Sequence, residues 1–249
     1  MSKRNTYLMG GAAIAVGIAL IVIALTTISG GNDGGSESAR PMPEKPATGK
    51  QPSTPPEQEG ASPSAPSVRG KSLSKAVEQR RPVRAPGFAV EVIDDGSPPA
   101  QARPLKQAVA GGSLALTRLR GSPVVLHVWS SDCGPCRSAA RLIETTWRRW
   151  GRRGVAFVGL SVNEPEAAAL KFAREYDLSY PVVRDAAGRV ADAYGVTSLP
   201  ETFFISRNGD VIGRVAGNPS VRQMELGTAA AQTGRTFGSE QGGSREPRR

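Results

Sequence analysis

Residues 124–137 read V-V-L-H-V-W-S-S-D-C-G-P-C-R. The opening V-V-L-H-V-W is apolar and rich in β-branched side chains, the pattern of a buried central strand. Ser130-Ser131-Asp132 breaks it. After Cys133-Gly134-Pro135-Cys136 an amphipathic helix pattern runs from 134 to about 150, with Ala139, Leu142, Ile143, Trp147 and Trp150 on its apolar face. The two cysteines therefore fall where a strand passes into a helix. A helix start offers unpaired N–H groups and the positive end of the macrodipole, which favour a thiolate at Cys133 and make it the attacking sulfur. Cys136, one turn on, is expected to be more buried and to act as the resolving thiol. The spacing brings the sulfurs within bonding reach, so the pair can alternate between dithiol and disulfide. A static disulfide and half of a zinc site are the competing readings. A zinc site needs about two more thiolate or imidazole ligands, and the chain has no third cysteine and one histidine, His127, inside the strand. No metal is expected, and no cofactor beyond a redox-active Cys133–Cys136 disulfide.

Downstream, the pattern alternates strands and helices. Residues 155–161 read as a strand. Asn163 with Glu166 three residues on has the form of a capping box, opening a helix to Tyr176. A strand over 180–184, a turn over 185–188 and a short helix over 189–194 follow. Strands over 202–206 and 211–216 are joined through Asn208-Gly209, a hairpin signal, and 221–232 forms a closing amphipathic helix. Upstream, 88–93 and 113–116 read as short strands. Between them, 94–112 carries Pro98-Pro99 and Gly111-Gly112 and reads as an irregular insertion.

The ends of the chain have a different character. Lys3 and Arg4 precede a charge-free apolar run over 7–28, and about 20 such residues span a hydrocarbon core. Cations before the run and none close behind it place 1–6 in the cytoplasm and the remainder outside. A cleaved signal peptide would have a shorter apolar region ending in an A-x-A-like site, which Thr27-Ile28-Ser29 matches poorly. An uncleaved single-pass anchor in the cell membrane is the expectation. Residues 29–84 are rich in Pro, Ser, Gly, Gln and Glu and read as a disordered spacer, with 72–81 a candidate short helix inside it; a basic tail over 233–249 also reads as disordered. The formal charge is +10, yet residues 86–232 hold 17 Lys/Arg against 14 Asp/Glu. Most of the excess thus lies in the spacer and tails, and no nucleic-acid-binding motif accompanies it.

The order strand, C-G-P-C helix, strand, helix, strand, short helix, L-P-E-T loop, hairpin and helix resembles the thioredoxin fold. The finer resemblance is to its membrane-tethered extracytoplasmic branch, the TlpA/ResA/CcmG (DsbE) group of thiol–disulfide oxidoreductases. It rests on Ala85-Pro86-x-Phe88, on Leu116-x-x-Leu119-Arg120-Gly121, on the strand-and-helix unit over 163–184, and on Gly195-Val196-x-x-Leu199-Pro200-Glu201-Thr202-Phe203. It covers 85–232. The resemblance implies an α/β fold: a central mixed sheet flanked by helices, with extra N-terminal strands and a TlpA-type strand-helix insertion, preceded by one transmembrane helix.

For the site, the resemblance implies a cis Leu199–Pro200 bond beside the cysteines, where an extended client segment pairs with the backbone of Leu199. Gly134 and Pro135 support the cysteine pair. Asp132 stands where the family often has Trp. His127 stands where thioredoxin-like proteins often have Asp or Asn, beneath the second cysteine. A proton relay to Cys136 and a buried structural role are the two readings of that histidine. Glu164 falls near the active-site mouth, where a carboxylate also suits a helix start. The implied activity is reduction of client disulfides, of the kind that precedes haem attachment to apocytochrome c. Electrons would come from a transmembrane thiol donor of the CcdA/DsbD type. A disulfide oxidase for exported proteins, a thiol peroxidase built on Ser130-x-x-Cys133, and a redox-inert peptide-binding module are the alternatives.

Overall fold

The computed structural model describes residues 68–243. The apolar run over 7–28 and most of the spacer lie outside them. No helix among the described residues is long and apolar enough to cross a membrane.

In chain order the elements are α1 (Val68–Glu78), β1 (Val83–Arg84), β2 (Ala89–Asp94), α2 (Arg103–Val109), β3 (Ser113–Ala115), β4 (Val124–Trp129), α3 (Gly134–Gly151), β5 (Ala156–Val162), α4 (Glu166–Glu175), β6 (Val182–Asp185), α5 (Arg189–Tyr194), β7 (Glu201–Ile205), β8 (Asp210–Ala216), α6 (Val221–Thr233) and β9 (Gly238–Gln241). One mixed sheet takes the order β1-β8-β7-β4-β5-β6-β2-β3, with β9 also on β8. β4 runs parallel to β5 and antiparallel to β7. All six of its residues are buried, as the unbroken apolar run requires of a strand covered on both faces. This is the thioredoxin-like α/β arrangement.

Side chains alternate across a strand, so β7 sorts its residues onto two faces. On one face Phe204 lies where a Cβ on Gly227 of α6 would collide with its ring. α3 packs with α6 there, and its Trp147 ring meets Phe157 of β5 at 5.6 Å. On the other face Phe203 meets Tyr194 of α5 edge-on at 5.1 Å, and α1 packs against α5 and β8.

Four expectations are corrected. The spacer does not extend to residue 84: the short helix read over 72–81 forms as α1, starting at Val68, with β1 after it, and packs on the domain with Leu73, Ala76 and Val77 buried. Their i, i+3, i+4 spacing makes one short apolar stripe amid polar sequence. The stretch over 94–112 is not irregular throughout, since a 3-10 turn (Ala100–Ala102) leads into α2. Pro104 sits in the first helical turn, where its missing N–H costs nothing, and Leu105, Ala108 and Val109 are buried. The Asn163–Glu166 capping box does not form. Asn163 has φ 55° and α4 begins after Pro165, which supplies no side-chain cap. Finally, the tail is not wholly disordered, because β9 pairs in parallel with the edge of β8 that β1 leaves open.

Candidate active site

Cys133 is the N-cap residue of α3, and its side chain accepts a hydrogen bond from the Cys136 amide at 3.1 Å. Gly134 and Pro135 are exposed and fill the first turn, with proline at a position that needs no N–H. The two sulfurs form a disulfide with Cα atoms 5.2 Å apart. Cys136 is 1% exposed, whereas Cys133 is only partly covered. The outer sulfur is thus the one a client can reach and the inner one is shielded behind it, the order expected from the helix start.

The loop ahead of Cys133 is fastened by Glu164. Its Oε2 accepts from the amide of Ser131 at 2.9 Å and from the Ser131 hydroxyl, while Oε1 accepts from Ser161 at 2.6 Å. Arg137 closes the other side by donating from Nε and Nη2 to the Ser131 carbonyl. The Ser130 hydroxyl donates to Asp132 at 2.6 Å. Glu164 therefore holds the segment carrying the cysteines, rather than only capping a helix.

The Leu199–Pro200 peptide bond is cis. Val128 lies opposite Glu201, so Pro200 is at the same end of the sheet as the β4–α3 junction and its cysteines. Pro200 is buried and Leu199 half-buried.

His127 lies opposite Thr202 across β4 and β7. Its ring is buried and its Nδ1 is 3.0 Å from the Thr202 hydroxyl. Burial, with no charged partner to offset it, pushes the imidazole down to about 3. The ring is neutral throughout the physiological range and a weak base there. Among the described residues its hydrogen bond goes to Thr202 and none joins it to Cys136.

Sequence reading gave no role to the neighbouring pair. Glu201 is fully buried and its Oε1 accepts from Arg214 Nη1 at 2.7 Å. Burial raises the carboxyl to about 7, opposed by the Arg214 guanidinium and the Thr197 amide. Oε2 has no hydrogen-bond partner among the described residues. The signal was present: a carboxylate opening the apolar strand E-T-F-F-I demands a buried cation.

A family model for the AhpC/TSA family matches residues 87–214, about half of the chain. The chain belongs to the AhpC/TSA family. It is 29% identical over 133 residues to the thiol-disulfide oxidoreductase ResA of Oceanobacillus iheyensis, covering 53% of this chain and 69% of that protein. The ResA of Geobacillus thermodenitrificans is 34% identical over 126 residues, 45% of this chain and 72% of its own length. Among solved structures, one assigned as the thiol:disulfide interchange protein DsbE of Chlorobium tepidum superposes with a TM-score of 0.51 at 26% identity. It covers 60% of this chain and 96% of its own. With the Cys133–Cys136 pair in place, the chain is a thiol–disulfide oxidoreductase of the ResA/DsbE type.

Proposed function

We propose that this oxidoreductase is a membrane-anchored, extracytoplasmic reductant of client disulfides, of the kind that prepares apocytochrome c thiols for haem attachment. The apolar run over 7–28 supplies the anchor, and a transmembrane thiol protein of the CcdA/DsbD type supplies electrons. The observation that carries the exchange chemistry is the asymmetry of the pair, Cys133 reachable at the helix N-terminus and Cys136 buried behind it; Gly134-Pro135 between them motivates the reducing direction.

The Cys133 thiolate attacks one sulfur of a client disulfide. That S–S bond breaks, a Cys133–client bond forms, and the other client sulfur leaves as a thiolate and takes a proton. Cys136 then loses its proton and attacks Cys133. The second client thiol is released, the Cys133–Cys136 disulfide forms, and the client has gained two electrons. The helix start and the Cys136 amide favour negative charge on Cys133. Glu164 and Arg137 hold the loop that presents it. The client backbone lies along Leu199 and Pro200.

The test uses the full-length chain. Cys136→Ser is expected to accumulate mixed disulfides with exported proteins and Cys133→Ser to accumulate none. Faster alkylation of Cys136 than of Cys133 in the reduced protein would reverse the two roles.

A further inference from the structure

Arg214 joins four segments of the chain. Nη1 donates to Glu201 Oε1 at 2.7 Å and to Ser74 Oγ at 3.1 Å, Nη2 lies 3.4 Å from Glu78 Oε1, and Nε donates to Ser239 Oγ at 3.1 Å. Ser74 and Glu78 belong to α1 and Ser239 to β9, elements that lie outside the residues shared with the family. Glu201 directly follows the cis Pro200.

α1 also touches the other end of the same loop. Gly70 runs so close to Gly195 that a Cβ on Gly70 would lie 2.6 Å from the Gly195 Cα and would collide with the Asp192 carbonyl oxygen. Between these contacts Lys71, Lys75 and Thr197 line a groove separating α1 from the loop. Residues 195–200 are thus gripped at both ends by α1, directly at Gly195 and through Arg214 at Glu201.

We propose that α1 and Arg214 are positioning elements of the active site: through the Gly70–Gly195 contact and the Arg214–Glu201 pair they set the geometry of the loop carrying Leu199 and Pro200. This rests on the reading that clients dock on that loop. Neither element touches the sulfurs, so their effect falls on client binding and not on the chemistry of Cys133. The segment joining the domain to its upstream chain then helps to set the geometry of the client site.

Two variants of the full-length chain separate α1 from the loop differently. Gly70→Val introduces the clashing side chain. Ser74→Ala with Glu78→Ala removes the bonds from α1 to Arg214 and leaves Glu201 and Ser239 paired. In both, backbone amides of residues 195–199 are expected to exchange hydrogen about tenfold faster, with α3 unchanged. With a fluorogenic peptide disulfide as client, KM should rise about threefold or more while kcat and Cys133 alkylation stay within about twofold, the pattern of lost uniform binding. Unchanged exchange over 195–199 in both variants overturns the proposal. So does acceleration that spreads equally through α3 and β4, or a fall in kcat at constant KM. A wild-type chain that fails to turn over the peptide defeats the oxidoreductase reading instead, and the exchange result still decides the role of α1.

Discussion

Glu201 and Thr202 are adjacent in β7 and face opposite sides of the sheet, and each meets a buried titratable group under different terms. On the α3/α6 face Thr202 offers His127 a neutral hydroxyl at 3.0 Å. Nothing there offsets desolvation, and the imidazole is pushed down to about 3. On the α1/α5 face Arg214 offers Glu201 a cation at 2.7 Å. The cation offsets part of the desolvation and the carboxyl settles near 7. Burial disfavours charge in both, yet only the group with a counter-charge remains able to change its protonation near neutral pH. Beneath Cys136 the buried His127 has no counter-charge; behind the Pro200 loop Arg214 supplies one to Glu201.

The largest expected effect breaks the ionic side. Arg214→Met leaves the Glu201 carboxylate buried without its cation and frees Ser74, Glu78 and Ser239 at once. A loss of about 3–5 kcal/mol in urea unfolding is expected. Thr202→Val, which removes a single neutral partner from His127, should cost no more than about 1–3 kcal/mol. Equal losses would mean that the two faces do not differ in kind.

The pH dependence of stability sharpens the comparison because the two groups pull in opposite directions. His127 binds its proton more weakly folded than unfolded, so its contribution rises with pH between about 3 and 6.5. Glu201 binds its proton more tightly folded, so its contribution falls with pH between 4.5 and about 7. Each slope is at most about 1.4 kcal/mol per pH unit, and they oppose one another where the windows overlap. Glu201→Gln is expected to expose stability that rises with pH across that overlap, and His127→Asn stability that falls. Equilibrium unfolding at half-unit pH steps checks both signs.

Smallest is the kinetic effect of His127. A ring held neutral by burial is a poor acceptor for the Cys136 proton, so of the two readings of His127 the buried structural role is favoured over the relay. His127→Ala and His127→Asn are expected to resolve mixed disulfides within about threefold of wild type across about pH 6–8. Slowing by about tenfold or more in both would restore the relay.

The parts legible in the sequence are those encoded locally. The C-G-P-C at a strand–helix junction gave the disulfide, the order of the sulfurs and the buried strand around His127. The L-P-E-T loop gave the cis Pro200 through resemblance. What escaped depends on partners far along the chain. Glu164 is legible near the active-site mouth, but not its bond to Ser131 across 33 residues, and Arg214 meets Ser74 across 140. The G-S-E-Q of β9 has little intrinsic preference for a strand and forms one because β8 offers an open edge. A short helix is legible over 72–81, but its apolar stripe is too short to show that it starts at Val68 and packs on the domain. At Asn163 a local rule misled, because Pro165 sets the start of α4 in its place.

The reduction potential of the Cys133–Cys136 pair, measured by equilibration of the full-length protein with glutathione or dithiothreitol buffers, tests the proposed direction of electron flow. Gly134-Pro135 between the cysteines motivates a reducing pair, with a potential nearer the roughly −270 mV of thioredoxin than the roughly −120 mV of a strong oxidant such as DsbA. A potential above about −180 mV, with the disulfide less stable than the dithiol, would contradict the reductant and make the chain an oxidase of exported proteins.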